Sequence, residues 1–189
     1  MEDIKKPVIP KGLLIKSVRQ TPTITICTDA SYDPQLGIGA WACYIRSGDK
    51  IIKLGKVIKE DVTNSTEAER VGVANALWLA SRAFDISECR IVLYCDNLAA
   101  LNPVRPSTKT GQKRQAAKKQ LEFYQKNIEP FLQKALTYDA RHVKGHLERT
   151  ARHRMKARHH LNDWCDKEAR ELLQKERSRY ESDRKSLLR

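Results

Sequence analysis

At 189 residues with 40% hydrophobic content, the chain has enough apolar material for one domain with its own core. Its 36 Lys and Arg against 23 Asp and Glu leave a net charge of +13, which points to a polyanionic partner, nucleic acid first of all. The five cysteines show no CxxC spacing, the segment around Lys5, Lys6, Pro7 and Pro10 has no signal-like apolar stretch, and no apolar run reaches membrane length. The expectation is a soluble, cytoplasmic monomer in a reducing compartment, with no membrane partner.

Residues 1–21, mixing Lys, Pro and the short patch Leu13, Leu14 and Ile15, read as an arm. Ile24-Thr25-Ile26-Cys27-Thr28 then reads as a buried central strand ending on Asp29. A carboxylate beside a core needs a partner, a proton or a metal ion. Capping a turn with Ser31 is the plain alternative. The turn composition of 31–39, with Asp33-Pro34 and two glycines, leads to a strand over 40–45. Ser47-Gly48-Asp49-Lys50 is a second turn and 51–58 a third strand, which makes a three-strand antiparallel meander.

A helix is expected over 67–82, capped by Ser65 or Thr66, with Glu67 and Glu69 in its first turn. Val73, Ala76, Leu77 and Ala80 form its buried stripe. Glu69 lies four residues before Val73 and so beside that face, whereas Glu67 falls elsewhere on the wheel. The next strand, 89–95, is again followed by an aspartate, Asp96. A strand-helix-strand order favours a right-handed crossover and parallel pairing, so Asp29 and Asp96 emerge at one sheet edge, where ligands of α/β sheets bind.

Residues 97–121 hold no acid but six bases, Arg105, Lys109, Lys113, Arg114, Lys118 and Lys119, in a Pro- and Thr-rich loop that becomes a helix to about residue 134. A fifth strand, 136–144, leads to Gly145-His146. The segment 147–160 is strongly basic, with Arg149, Arg152, Arg154, Lys156 and Arg158 against Glu148 alone. Asn162 is expected to cap a last helix carrying Asp166, and 176–189 to form a charged, solvated helical tail. His153, His159, His160 and Cys165 lack the spacing of a zinc site.

Taken singly, each acid reads as a surface carboxylate. Asp29, Glu69 and Asp96 at matching element ends, with Asp166 packed nearby, would instead be a like-charge cluster needing protons or cations. Oxygen-only ligands suit Mg²⁺ or Mn²⁺, and two such ions about 4 Å apart support an in-line phosphoryl displacement. From the residues alone this is a candidate metal-dependent nuclease on a five-stranded mixed sheet.

Six pieces, in order, carry a family resemblance: Thr28-Asp29-Ala30-Ser31; Gly37-Ile38-Gly39-Ala40; Ala68-Glu69 with Ala76-Leu77; Cys95-Asp96-Asn97; Val143-Lys144-Gly145-His146; and Asn162-Asp163-Trp164-Cys165-Asp166. Over residues 22–175 the chain resembles a type I ribonuclease H. The resemblance implies an α/β ribonuclease H-like fold with three antiparallel strands, then two parallel ones, flanked by helices. It implies endonucleolytic cleavage of the RNA strand of RNA/DNA hybrids, leaving 5′-phosphomonoesters. It places two Mg²⁺ ions, replaceable by Mn²⁺, on Asp29, Glu69, Asp96 and Asp166, and gives His146 a part in proton transfer and product release. Asp163 is then a decoy beside Asp166. The expected nucleic-acid contacts are Ser31, Ser65, Thr66, Arg105, Lys109, Lys113, Arg114, Arg152, Arg154 and Arg158. The chain departs from the family in the basic insertion before Asp166, in the 103–119 stretch that replaces a tryptophan-bearing protrusion, and in Ser65 and Thr66, where asparagines are usual. A transposase or integrase domain of the same fold and a non-catalytic hybrid-binding module are the competing readings.

Overall fold

The structure, a computed structural model, describes residues 21–59, 61–101, 111–143 and 157–187. Nine principal elements follow in order among them: β1 (Thr23–Asp33), β2 (Ile38–Ser47), β3 (Lys50–Val57), α1 (Ser65–Ala83), β4 (Arg90–Cys95), α2 (Gly111–Asn127), α3 (Glu129–Lys134), β5 (Thr137–His142) and α4 (Ala157–Leu187). One sheet runs β3-β2-β1-β4-β5. The first three strands are antiparallel, and β4 and β5 run parallel to β1, as expected for the mixed sheet. Residues 1–20 of the expected arm lie outside the described residues.

Alternation along β1 distributes the core between two layers. Ile24 and Ile26 pack with Val73, Leu77, Ile91, Leu93 and Ile128 beneath α1 and α3. Cys27, Ala42 and Tyr44 face the other way and meet Cys165 and Ala169 of α4. Period-two side chains on a strand covered on both faces produce this split. All five cysteines are free and buried, consistent with their use as small hydrophobes. No described helix is long and apolar enough to cross a membrane.

Several boundaries differ from the sequence reading, each for a local reason. Asp29 does not end its strand: β1 continues to Asp33 because Ala30–Asp33 stays paired with β2. The parallel ladder to β4 stops earlier, at Cys27 and Tyr94, so Asp29 lies where β1 has lost its neighbour on one side. The reversal after β1 is narrower than 31–39. Asp33 accepts from the amides of Gln35 (2.8 Å) and Leu36 (3.2 Å), and Gly37 takes the left-handed φ of +66° that closes the turn.

α1 is capped by Asn64, not by Ser65 or Thr66. Asn64 Oδ1 accepts the Glu67 amide at 3.0 Å, and Glu67 Oε2 accepts the Thr63 amide at 2.9 Å. Glu67 thus reaches back to the residue before the cap, whereas Glu69, three residues after Thr66, is engaged by the Ala30 amide and cannot complete a capping pair there. The single helix expected up to residue 134 is two, broken at Ile128. Pro130, in the first turn of α3, lacks an amide hydrogen and its ring excludes the preceding carbonyl geometry. α4 begins at Ala157, inside the segment read as a basic loop, and runs unbroken to Leu187.

Candidate active site

Three carboxylates from three elements meet at the carboxyl edge of β1 and β4. Asp29, Glu69 and Asp96 each offer an oxygen, and these oxygens lie within 4.8 Å of one another. Among the described residues this is the one grouping of three or more side chains able to hold a metal ion. Asp29 and Glu69 are each 4% exposed, and Asp96 is half-buried.

The main chain around Asp29 binds two of these groups together. The Ala30 amide donates to Asp29 Oδ1 at 2.7 Å and to Glu69 Oε1 at 3.1 Å. Glu69 reaches this amide because α1 lies unusually close to β1. At Gly72, one turn beyond Glu69, an added Cβ would stand 2.9 Å from Thr28 Oγ1 and 3.2 Å from Trp41 Cβ. The helix phase that placed Glu69 beside the buried stripe therefore holds, and Glu67 is spent on the cap.

Such a cluster cannot carry its full charge without cations. Burial above all, then the charges of Asp96 and Asp166, pushes Asp29 up from 3.8 to about 7, against the lowering effect of its bonds to Glu69 and the Ala30 amide. Burial, then Asp29 and Asp96, raises Glu69 well above its ordinary 4.5. The buried Glu69 Oε2 receives no N–H or hydroxyl donor among the described residues. Protons or a cation must take that place, and all-oxygen donors of this kind match Mg²⁺ or Mn²⁺.

Asp166 stands at the margin of the cluster. Its charge acts on Asp29, but its oxygens are outside the group within 4.8 Å, and Arg170 Nε holds Oδ1 at 2.8 Å. Asn162, expected to cap the last helix, instead sits in the body of α4, one turn before Asp166. It is 3% exposed and donates from Nδ2 to Asp29 Oδ2 at 3.4 Å, while its Oδ1 faces Cys27 Sγ at 3.9 Å. The i, i+4 spacing of Asn162 and Asp166 was the available signal; the helix start at residue 157 makes it meaningful. Asp163 is exposed and turned away.

The expected nucleic-acid contacts are partly described. Ser31 is half-buried on β1, Ser65 is exposed, and Thr66 Oγ1 accepts Asn97 Nδ2 at 3.2 Å. Lys113 and the exposed Arg114 belong to the first turn of α2. Arg158, expected in a loop, is in the first turn of α4, half-buried. Arg105, Lys109, His146, Arg152 and Arg154 lie outside the described residues.

No family model and no curated protein sequence matches the chain. Solved structures do. Ribonuclease H1 from the halophilic archaeon Halobacterium salinarum is 19% identical with a TM-score of 0.53, covering 81% of this chain and 98% of that one. The N-terminal RNase H domain of Rv2228c from Mycobacterium tuberculosis, solved as a fusion with maltose-binding protein, is 13% identical with a TM-score of 0.54, covering 81% and 94%. The metagenomic LC11-RNase H1, solved in complex with an RNA/DNA hybrid, is 14% identical with a TM-score of 0.54, covering 81% and 98%. At these identities the likeness is one of fold: the chain has a type I ribonuclease H-like fold.

Proposed function

We propose that the chain is a divalent-metal-dependent endonuclease that hydrolyses the RNA strand of RNA/DNA hybrids. The observation that carries this reading is the trio Asp29, Glu69 and Asp96, within 4.8 Å and overloaded with charge, at the open edge of a ribonuclease H-like sheet. A fold hosts many activities, so the argument rests on this site and not on the fold. The +13 net charge and the bases of α2 supply the attraction for a polyanion.

Asp29, Glu69 and Asp96 hold the metal, with Asp166 completing the ligand set for a pair of Mg²⁺ ions that Mn²⁺ can replace. Magnesium, when bound, supplies Lewis-acid stabilisation of the charge that builds on the reacting phosphate. Asn162 fixes the rotamer of Asp29, and the Ala30 amide fixes Asp29 and Glu69 relative to each other. Water adds at the phosphorus as the P–O3′ bond breaks, and His146 delivers a proton to the departing 3′-oxygen, leaving a 5′-phosphomonoester and a 3′-hydroxyl. Ser31, Ser65 and Thr66 meet the minor groove, where the 2′-hydroxyl distinguishes RNA. Arg105, Lys109, Lys113, Arg114, Arg152, Arg154 and Arg158 contact the backbone phosphates.

Incubating the protein with sequence-matched hybrid, duplex RNA and duplex DNA, in Mg²⁺ and in EDTA, tests the proposal. The RNA strand of the hybrid alone should be cut, and only with the metal. Efficient cutting of duplex DNA would replace this reading with the transposase or integrase one, and binding of hybrid without cleavage in Mg²⁺ or Mn²⁺ would leave a binding module.

A further inference from the structure

We propose that Arg70 is a positioning residue for the carboxylate cluster: from inside α1 it clamps the turn after Asp96 to the helix that carries Glu69. The proposal rests on reading the cluster as a cation site. Arg70 directly follows Glu69 and is 3% exposed. A guanidinium at that depth forfeits its hydration, and burying it is a cost that an apolar side chain of similar size would avoid. Glu67, one turn back, is the carboxylate whose field favours its charge. Its hydrogen bonds go elsewhere, to backbone: Nε donates to the Ala100 carbonyl at 3.2 Å and Nη2 to the Ala99 carbonyl at 3.4 Å.

Those two carbonyls belong to the short helical turn Leu98–Ala100, which begins two residues after Asp96. A second tie reinforces the first. Asn97 Nδ2 donates to Thr66 Oγ1 of α1 at 3.2 Å, and Asn97 Oδ1 accepts the Ala99 amide at 3.1 Å. On the other side of Asp96, the Cys95 carbonyl is held by the Val143 amide at 3.0 Å. Asp96 is thus suspended between the sheet and a turn pinned to α1. Because Glu69 shares that helix with Arg70 and Thr66, the distance between Glu69 and Asp96 is set by the clamp, while the Ala30 amide sets that between Glu69 and Asp29. All three spacings in the cluster then refer to α1.

The sign of one measurement separates this role from a simple charge effect. Removing a positive charge near an acidic cluster favours cation binding, whereas releasing the turn that carries Asp96 disfavours it. Groups that orient metal ligands through outer contacts change affinity by about 10–100-fold when lost. Arg70→Met, which keeps the stem and deletes the donors, should therefore weaken binding of Mn²⁺ about tenfold or more. Its unfolding temperature in EDTA should stay close to that of the wild type, since the charge it removes was costly to bury. Arg70→Lys, keeping the charge and part of the donor capacity, should fall between the two.

The test uses the full chain and the metal alone: calorimetry with MgCl₂ and MnCl₂, together with the spin-resonance signal of free Mn²⁺, on wild type, Arg70→Met and Arg70→Lys. Wild-type or tighter Mn²⁺ affinity in Arg70→Met overturns the clamp while leaving the cation site in place. No uptake of either metal by the wild type overturns the cation-site reading itself, a distinct result. Should Arg70→Met fail to fold, Arg70→Lys decides: weaker Mn²⁺ binding at an unchanged unfolding temperature upholds the clamp, and wild-type affinity overturns it.

Discussion

Asp29 makes the cation-free protein less stable as pH rises, and Asp29→Asn should reduce that dependence, leaving the part that burial imposes on Glu69. Burial, then the charges of Asp96 and Asp166, pushes the Asp29 carboxyl from its ordinary 3.8 up to about 7 in the folded chain. With the folded value the higher, Asp29 favours folding fully below about pH 4, and that contribution drains away as pH climbs through about 7. A shift of this size, at about 1.36 kcal/mol per unit, amounts to about 4 kcal/mol. The side chain is buried, so solvent screening does not reduce it greatly. For a domain of this length, about 4 kcal/mol is on the order of 10 °C in unfolding temperature. Urea unfolding of wild type and Asp29→Asn in EDTA at pH 4 and pH 8 reads the combined effect of Asp29 and its coupling to Glu69, because titrations outside the cluster cancel between the two proteins. The wild type should be the less stable of the pair at pH 8, and millimolar Mg²⁺ should recover much of the loss for the wild type alone by binding the folded state. Equal pH dependence in the two proteins would refute the argument that the cluster is held against its own charge.

Asp96→Asn should abolish hybrid cleavage in Mg²⁺ while leaving hybrid affinity intact or tighter, since it deletes a ligand and a negative charge facing phosphate; comparable turnover would sink the assignment. Glu67→Gln should be near neutral in the same assay, because its cap to Thr63 survives through the amide oxygen. Gly72→Ala should cost about 1–3 kcal/mol by overpacking α1 against Thr28 and Trp41, and should weaken Mg²⁺ binding by lifting Glu69 from the Ala30 amide. An unchanged metal titration in that variant would mean that the helix-strand approach does not set the site. Changing Arg152, Arg154 and Arg158 together to Ala should weaken hybrid binding for all sequences alike and flatten the plot of log affinity against log salt by roughly two to three units. An unaltered slope would transfer the gripping role to the bases between Arg105 and Lys119.

The sequence by itself determined the features that depend on local backbone chemistry. The β-branched run of β1 and the turn residues around it specify the meander, and the 3.6-residue period of α1 selects Glu69 over Glu67. Chain handedness makes the crossover from β3 through α1 lay β4 parallel to β1, which brings Asp29 and Asp96 to one edge, so three of the candidate site's carboxylates were legible before any packing was known. Even where the cap was misplaced, the error was a residue or two, because Asn64, Ser65 and Thr66 are all competent caps and Asn64 is the one whose side chain accepts the Glu67 amide. What the tertiary structure decided is how those carboxylates are spaced and charged. Asn162 meets Asp29 across 133 positions of chain, and Gly72 matters only because α1 presses on Thr28 and Trp41. Arg70, by its composition an ordinary charged helix residue, has its role set by the carbonyls of Ala99 and Ala100 lying beneath it. Periodicity and capping are properties of neighbouring residues; burial, desolvation and contact between distant elements arise only when the sheet and its helices close around them.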